Sequence, residues 1–213
     1  MTNKIKNIIK LFIPSKILEN RQIKQNNVIL ENWYKNPSEN FTPHIVKQTI
    51  IKEYQKKYSC TILIETGTYL GDMVEAQKNT FKQIISIELG IDLYKKAQKR
   101  FRNYKHINIV QGDSGKVLGN ILKKINEPAI FWLDGHYSAD ITAKGEKDCP
   151  IFEELGAVFS STPLNHILLI DDARLFVGQN DYPTLEDLTL YIKSKNEKYS
   201  VEIKNDIIRC VII

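Results

Sequence analysis

The sequence is poor in cysteine and has no long apolar run, and both absences exclude classes of protein. Its three cysteines lie far apart and in no CxxC pattern, which argues against a disulfide framework or a zinc site and favours a reducing cytoplasm. No apolar stretch approaches the roughly 20 residues that cross a bilayer. The formal net charge is only +5, with lysines spread among Glu and Asn, so we expect no nucleic-acid partner. The 213 residues, 42% of them hydrophobic, are enough for one globular core.

Residues 1–43 differ in composition from the rest of the chain. They are rich in Lys and Asn, and Pro37 and Pro43 interrupt them, which predicts a helical N-terminal extension and linker before a main domain over residues 44–213. Within residues 4–18, apolar positions at roughly helical spacing alternate with lysines. A basic amphipathic helix of this kind can pack on its own domain, contact a second copy of the chain in a homodimer, or lie on the inner face of a membrane. The sequence favours packing and excludes neither of the others.

Beyond residue 44, short apolar runs alternate with amphipathic stretches of helical length. The runs are TILIET, QIISIE, HINIV, AIFWLD and HILLID, beginning at residues 61, 83, 106, 129 and 166. Runs this apolar are typical of parallel strands buried on both faces. Near the C-terminus, two strand-like runs flank Asn205-Asp206, and so short a turn allows only an antiparallel pair. The sequence therefore predicts a doubly wound α/β fold, with a mostly parallel, Rossmann-like sheet of seven strands and a C-terminal antiparallel hairpin.

Each of the five predicted parallel strands ends in a carboxylate. The carboxyl ends of such strands meet at one edge of the sheet, where ligands bind. The acids at this edge are Glu65, Glu88, Asp113, Asp134, Asp171 and Asp172. A single acid there can cap the following helix, as Asp113 would before Ser114. Capping does not account for all of them, because so many like charges repel one another unless something is bound. The pattern predicts a ligand site.

The turn after the first strand, ETGTYLG, indicates which ligand. It is rich in glycine, it precedes a predicted helix, and Glu88 follows Gly67 by 21 residues, the spacing at which an acid can bond ribose hydroxyls. The turn is not the GxGxxG of nicotinamide enzymes, since Gly67 is followed by Thr68 and Tyr69. Glu65, just before the first glycine, would repel a pyrophosphate. It suits a cofactor with a positive charge, such as S-adenosylmethionine.

In order and spacing, ETGTYLG, SIEL, QGDS, FWLDGHY and LLIDDAR resemble the successive motifs of class I S-adenosylmethionine-dependent methyltransferases. The resemblance covers roughly residues 60–213. An aromatic residue, Tyr69, at the middle glycine of the first motif is similar to the metal-dependent small-molecule O-methyltransferases, which include the catechol, caffeoyl-coenzyme A and macrocin-type sugar enzymes. The resemblance implies a set of cofactor-binding residues, with Glu88 on the ribose and Asp113 on the adenine amino group. The set is Glu65, Thr66, Gly67, Thr68, Tyr69, Gly71, Glu88, Asp113, Ser114 and Asp134.

The same resemblance implies a magnesium site formed by Asp134, Asp171 and Asp172. Magnesium prefers oxygen ligands and would lower the pKa of an acceptor hydroxyl. His136 is then the candidate general base beside Asp134, because its ordinary pKa of about 6.5 suits proton removal near neutrality. The macrocin-type enzymes have an acid at this place, and the catechol type has a lysine one residue further on, so this chain departs from both. A solvated acidic turn at 171–172 and a loop hydrogen bond from His136 are the plainer alternatives.

Three further residues are candidates for contact with the acceptor. Tyr137 and Lys144 lie in a polar stretch after the fourth strand, and Arg174 follows the fifth, where the cations would suit a phosphorylated or nucleotide-linked substrate. We therefore predict O-methyl transfer to a small polar acceptor, a sugar or surface-glycan precursor in polysaccharide biosynthesis. Two alternatives stay open: a metal-independent methyltransferase with His136 as base, and a non-catalytic binding protein on the same fold.

Overall fold

The computed structural model of the chain describes residues 15–38, 41–135 and 148–213. The helices within these ranges are α1 (Ser15–Lys35), α2 (His44–Tyr58), α3 (Asp72–Gln77), α4 (Ile91–Phe101), α5 (Ser114–Leu122), α6 (Ile151–Ser160) and α7 (Leu185–Lys195), with a single 3-10 turn at Ala173–Leu175. The strands are β1 (Ile62–Thr66), β2 (Gln83–Glu88), β3 (Ile107–Gln111), β4 (Ala129–Leu133), β5 (Ile167–Ile170), β6 (Tyr199–Lys204) and β7 (Ile207–Ile212).

The seven strands form one sheet in the order β3-β2-β1-β4-β5-β7-β6. Strands β1 to β5 are parallel, and β7 is antiparallel to both β5 and β6. The strand order reverses between β1 and β4, which makes this position the switch point of the sheet. Thr66 pairs with Ile87 of β2 and with Leu133 of β4, so these strands end level with one another. The predicted doubly wound, mostly parallel sheet with a C-terminal antiparallel hairpin is confirmed.

Helices cover both faces of the sheet and bury two apolar clusters. On one face, α5, α6 and α7 pack on side chains such as Ile64 and Phe131. On the other, α1 to α4 pack on Leu63, Ile130 and Trp132. Every residue of β1, β4 and β5 is buried, because successive side chains point to opposite faces and both faces are covered. This double burial explains why these strands read as continuous apolar runs.

The hairpin at residues 199–212 turns through two residues in the left-handed conformation. Asn205 and Asp206 both have φ near +57°, the arrangement of a type I′ turn, which matches the twist of the strands that it joins. The turn also contacts the main sheet, because Ala173 N–H donates to the Asp206 carbonyl at 2.9 Å and the Thr42 hydroxyl donates to the Asn205 carbonyl at 2.5 Å. The hairpin is therefore attached directly beyond the end of β5.

The helix before the main domain joins its core at one end only. Trp33 of α1 is buried in the cluster that contains Ile50 and Ile51 of α2, whereas Ile23 and Val28 are exposed. The amphipathic segment predicted over residues 4–18 falls mainly on residues 1–14, outside the described ranges, so its packing, dimer and membrane roles stay predictions. Among the residues that the structure describes, no helix combines the length and the apolar character that a membrane span requires.

Candidate active site

The turn after β1 lies against the end of β4. Gly67 adopts a φ of +84°, and a β-carbon on it would lie 2.3 Å from the Asp134 carbonyl oxygen. The backbone N–H of Asp134 donates to both the carbonyl and the hydroxyl oxygen of Thr66, each at 3.2 Å. The sequence-predicted residues of the first and fourth motifs therefore meet at the switch point.

Glu65 lies beneath this turn as part of a buried chain of polar groups. The Ser86 hydroxyl donates to its carboxylate at 2.5 Å, and the Ser86 oxygen lies 2.5 Å from that of Thr68. Burial raises the pKa of Glu65 to about 8, against the lowering effect of the Ser86 hydrogen bond and with a smaller raising effect from Asp134 and Glu88. Glu65 is thus protonated at neutral pH, which relieves part of the repulsion at the acidic edge.

Glu88 at the end of β2 holds the backbone of the same turn. Its two carboxylate oxygens accept the N–H groups of Tyr69, at 2.7 Å, and Gly90, at 2.8 Å. Tyr69 has a φ of +49°, which is unusual for a side chain of this size, and its ring is partly exposed. A carboxylate oxygen can accept more than one hydrogen bond. Glu88 can therefore support the turn and still accept from a cofactor hydroxyl.

The third strand places Asp113 at the start of α5, where it acts as the N-cap. Its Oδ1 accepts the Gly115 N–H at 3.0 Å, and its Oδ2 lies 3.9 Å from the Lys116 ammonium. Ser114, the first residue of the helix, is buried. Asp113 thus has the capping role that its sequence position suggested, and it caps the helix through Oδ1. Gly71 leaves space for the Phe101 ring, which a β-carbon would meet at 2.7 Å.

Asp134, Asp171 and Asp172 lie together beyond β4 and β5, and we refer to them as the acidic cluster. One oxygen of each can be chosen so that all three lie within 4.8 Å of one another. Asp171 is buried and the other two are partly buried. The Asp171 N–H donates to the carbonyl of Leu133 at 3.0 Å, which continues the pairing of the two strands into the cluster. The structure therefore brings together the three acids predicted as metal ligands.

Lys47, which the sequence analysis did not single out, lies in contact with this cluster. Its ammonium is 2.5 Å from Asp171 Oδ2 and 3.3 Å from Asp172 Oδ1. Burial lowers the pKa of Lys47, but the charges of Asp171 and Asp172, with a smaller effect from Asp134, raise it above its ordinary value. The lysine is therefore a partly buried cation that is paired with carboxylates. Its only sequence signal is its place beside Val46, at the border of the buried face of α2.

The donor set suits magnesium, but Lys47 already bonds two of the three carboxylates. Because Mg²⁺ lies about 2.1 Å from its oxygen ligands, an ion on Asp171 Oδ2 would lie within about 4.6 Å of the Lys47 ammonium. At this distance the two cations repel each other, and the ammonium already bonds both adjacent aspartates. The ion and the ammonium are therefore competing occupants, and with Lys47 in place the residues do not fit Mg²⁺.

Arg174 is exposed, and its guanidinium is nonetheless engaged by two carboxylates. Its guanidinium donates to Asp172 Oδ1 at 2.8 Å and to Asp206, and its backbone N–H donates to Asp206 Oδ1 at 2.9 Å. Burial lowers the pKa of Arg174, while Asp172 and Asp206 raise it to a net value above the ordinary one. Contact of Arg174 with an anionic substrate stays a prediction. His136, Tyr137 and Lys144 lie outside the described residues.

Comparison with known proteins yields structural matches without sequence matches. No protein-family model and no curated protein sequence matches the chain. Among solved structures, a Staphylococcus aureus protein provisionally named a caffeoyl-CoA O-methyltransferase aligns with a TM-score of 0.59 at 13% identity, over 93% of this chain and 98% of that one. A methyltransferase from Podospora anserina with bound S-adenosylhomocysteine aligns with a TM-score of 0.56 at 11% identity, over 100% and 97% of the two chains.

An O-methyltransferase from Bacillus cereus, also in complex with S-adenosylhomocysteine, aligns with a TM-score of 0.56 at 11% identity, over 98% of this chain and 96% of that one. Identities this low establish a common architecture and leave the chemistry to the site itself. The chain thus has the fold of the class I S-adenosylmethionine-dependent methyltransferases, as the motif resemblance predicts.

Proposed function

We propose that this protein transfers the methyl group of S-adenosylmethionine to an oxygen atom of a small polar acceptor. The observation that carries the proposal is the approach of the Gly67 turn to Asp134 at the switch point, because it joins a cofactor-type turn to an acidic edge. In doubly wound sheets this is where ligands bind. In the reaction, the acceptor oxygen attacks the methyl carbon, the bond from that carbon to sulfur breaks, and S-adenosylhomocysteine leaves.

The cofactor would lie across the ends of β1, β2 and β3. Glu88 would accept its ribose hydroxyls, and Asp113, with Oδ2 beyond the cap, would accept the adenine amino group. Gly67, Thr68 and the exposed backbone of the turn would lie along the methionine portion. Glu65, protonated in the free protein, would ionise beside the positive charges of the cofactor, since a nearby cation favours the charged form of an acid.

The proton of the acceptor hydroxyl would pass to Asp134 or His136. Asp134 is at the cluster, and His136 is two residues further along the chain. Magnesium assistance, implied by the sequence resemblance, would supply a lowered hydroxyl pKa. Because Lys47 already bonds Asp171 and Asp172, no step of the proposed reaction is routed through the ion. Catalysis then depends on orientation and on a water-excluded site.

A sugar or surface-glycan precursor is the proposed acceptor class, through the resemblance to macrocin-type enzymes. The same proposal includes a cytoplasmic location, contact with the inner face of a membrane through residues 4–18, and a homodimer. Tyr137 and Lys144 are the candidate contacts for such an acceptor.

The proposal is tested first by calorimetric titration with S-adenosylmethionine and S-adenosylhomocysteine. We expect both to bind, and absence of binding by either would overturn the assignment. Transfer of a labelled methyl group to nucleotide-linked sugars is then measured. Asp134→Asn should lower the turnover rate by about 10²-fold or more, and the exposed Asp92→Asn on α4 should leave it unchanged. Cofactor binding without transfer to any hydroxylated acceptor would favour the non-catalytic alternative.

A further inference from the structure

The ammonium of Lys47 is delivered to the acidic cluster by a rigid element. Lys47 lies in the first turn of α2, and the same helix is anchored in the core by Val46, Ile50 and Ile51, which are buried. The lysine side chain is only 14% exposed, and Asp171 is only 2% exposed. Burial of a lysine is expensive unless its charge is paired, so this position is unlike that of the exposed lysines along α2.

Lys47 and its neighbours bond three of the four carboxylate oxygens of Asp171 and Asp172. Asp171 Oδ2 accepts from Lys47, and Asp171 Oδ1 accepts the backbone N–H of Asp172 at 2.8 Å. Asp172 Oδ1 accepts from both Lys47 and Arg174. Two cations and a backbone donor therefore already bond both adjacent aspartates.

We propose that Lys47 is the resident cation of the acidic cluster and takes the place of a divalent metal ion there. The ammonium neutralises the cluster and fixes the orientation of Asp171 and Asp172, which makes Lys47 a positioning residue. Two of its three N–H bonds point at these acids. Among the described residues, no further hydrogen-bond acceptor lies within reach of the Lys47 ammonium. Its third N–H is therefore available to the hydroxyl oxygen of the molecule that receives the methyl group. The inference rests on the proposed function only for this last role.

The test is a Mn²⁺ titration, followed by the electron paramagnetic resonance signal of the free ion. Because the ammonium excludes the ion, the unaltered protein should bind Mn²⁺ weakly. Lys47→Met retains an unbranched apolar stem and removes the charge, so it should bind Mn²⁺ at least about tenfold more tightly, a difference of about 1.4 kcal/mol. Adding Asp171→Asn to Lys47→Met should abolish the gain. Lys56→Met, which changes an exposed lysine of the same helix, is the matched control and should behave as the unaltered protein.

Thermal unfolding of the same variants shows whether each variant is folded and whether Mn²⁺ binds its folded state. A ligand that binds only the folded state raises the melting temperature, so Mn²⁺ should stabilise folded Lys47→Met and leave the unaltered protein unaffected. The proposal is overturned if the unaltered protein binds Mn²⁺ as tightly as Lys47→Met, or if a folded Lys47→Met binds no more tightly than the unaltered protein.

Methyl transfer supplies a separate readout. The unaltered protein should retain its turnover after treatment with a chelator, whereas Lys47→Met should lose turnover at saturating cofactor with little change in S-adenosylhomocysteine affinity. If no preparation transfers a methyl group, the proposed function fails, while the Mn²⁺ comparison still decides the place of Lys47.

Discussion

Gly67 and Asp134 approach so closely that a β-carbon on Gly67 would lie 2.3 Å from the carbonyl oxygen of Asp134 and 2.9 Å from its carbonyl carbon. Both contacts are with backbone, which cannot move aside as the end of a flexible side chain can. Gly67 also has a φ of +84°, a conformation that side chains disfavour. The backbone conformation at Gly67 is therefore fixed by two independent constraints.

Gly67→Ala should consequently impair both folding and cofactor binding. We expect the free energy of unfolding to fall by about 2–4 kcal/mol, from left-handed strain and overpacking together, and S-adenosylhomocysteine affinity to fall by at least about tenfold. Gly119→Ala is the control, because Gly119 lies within α5 and a β-carbon there would be 3.9 Å from its neighbour. It should be neutral or stabilise by up to about 1 kcal/mol. Equal effects of the two changes in denaturant titrations would contradict the assignment.

Glu65 should make the protein less stable as pH rises through neutrality. Its pKa is about 8 in the folded state against an ordinary 4.5, so the folded protein holds a proton that the unfolded chain releases. This contribution to stability is complete below about pH 4.5 and is lost up to about pH 8. His166, whose pKa burial lowers from 6.5 to about 4, opposes the trend below pH 6.5. Between pH 6.5 and 8, His166 no longer opposes the effect of Glu65. The free energy of unfolding should therefore fall over this range, by about 2 kcal/mol at most.

Glu65→Gln removes the titrating group and keeps a hydrogen-bond acceptor for Ser86. Its unfolding free energy, measured by denaturant titration at several pH values, should lose the decline above pH 6.5. Glu197→Gln, at an exposed position, should leave the decline intact. A decline that persists unchanged in Glu65→Gln would show that another group causes it.

S-adenosylmethionine binding should release a proton. If the proposed function holds, the cationic cofactor would lower the pKa of Glu65 from about 8, so at pH 7 a carboxyl that is protonated in the free protein would ionise in the complex. Binding enthalpies measured in two buffers of different ionisation enthalpy should then differ, and affinity should rise with pH up to about 8. Glu65→Gln should remove the buffer dependence. Binding with no net proton release would contradict the assigned role of Glu65.

Asp206→Asn should weaken the attachment of the hairpin turn. Asp206 is 1% exposed and accepts both the backbone N–H and the guanidinium of Arg174, and hydrogen bonds to charged groups are stronger than neutral ones. We expect a loss of about 1–3 kcal/mol in unfolding free energy. Asp92→Asn, at an exposed helix start, should cost about 1 kcal/mol or less. Indistinguishable melting curves for the two variants would contradict this account.

The fold could be predicted from the sequence because its signals are local. Strands β1 and β4 are buried throughout and therefore read as unbroken apolar runs. β3, at the edge of the sheet, alternates between buried Ile107 and exposed Asn108, which is still a strand pattern. The antiparallel hairpin could be predicted from the two-residue turn at 205–206 alone, because so short a turn permits no other pairing of its flanking strands.

The candidate site was only partly predictable, because some of its contacts join distant parts of the chain. The positions of the acids could be predicted, because each acid lies at or directly after the end of a predicted strand. Lys47 and Asp171 are 124 residues apart, and nothing local distinguishes Lys47 from the other lysines of an amphipathic helix. Ser86 gives a weaker sequence signal, because it is a polar residue inside an apolar strand. Its register partner in the neighbouring strand is Glu65. Only the strand order decides that the two face each other.

Because β7 lies between β5 and β6, the turn between β6 and β7 can contact the acidic edge only after β7 has been synthesised. Residues 205–209 must emerge from the ribosome and exit tunnel before the turn can meet Thr42 and Arg174. Until then the nascent chain presents β5 as an open edge, a template for pairing with other strands. Chaperone occupancy of translating ribosomes should accordingly persist until β7 docks, and premature termination before residue 205 should yield aggregated chains rather than folded ones.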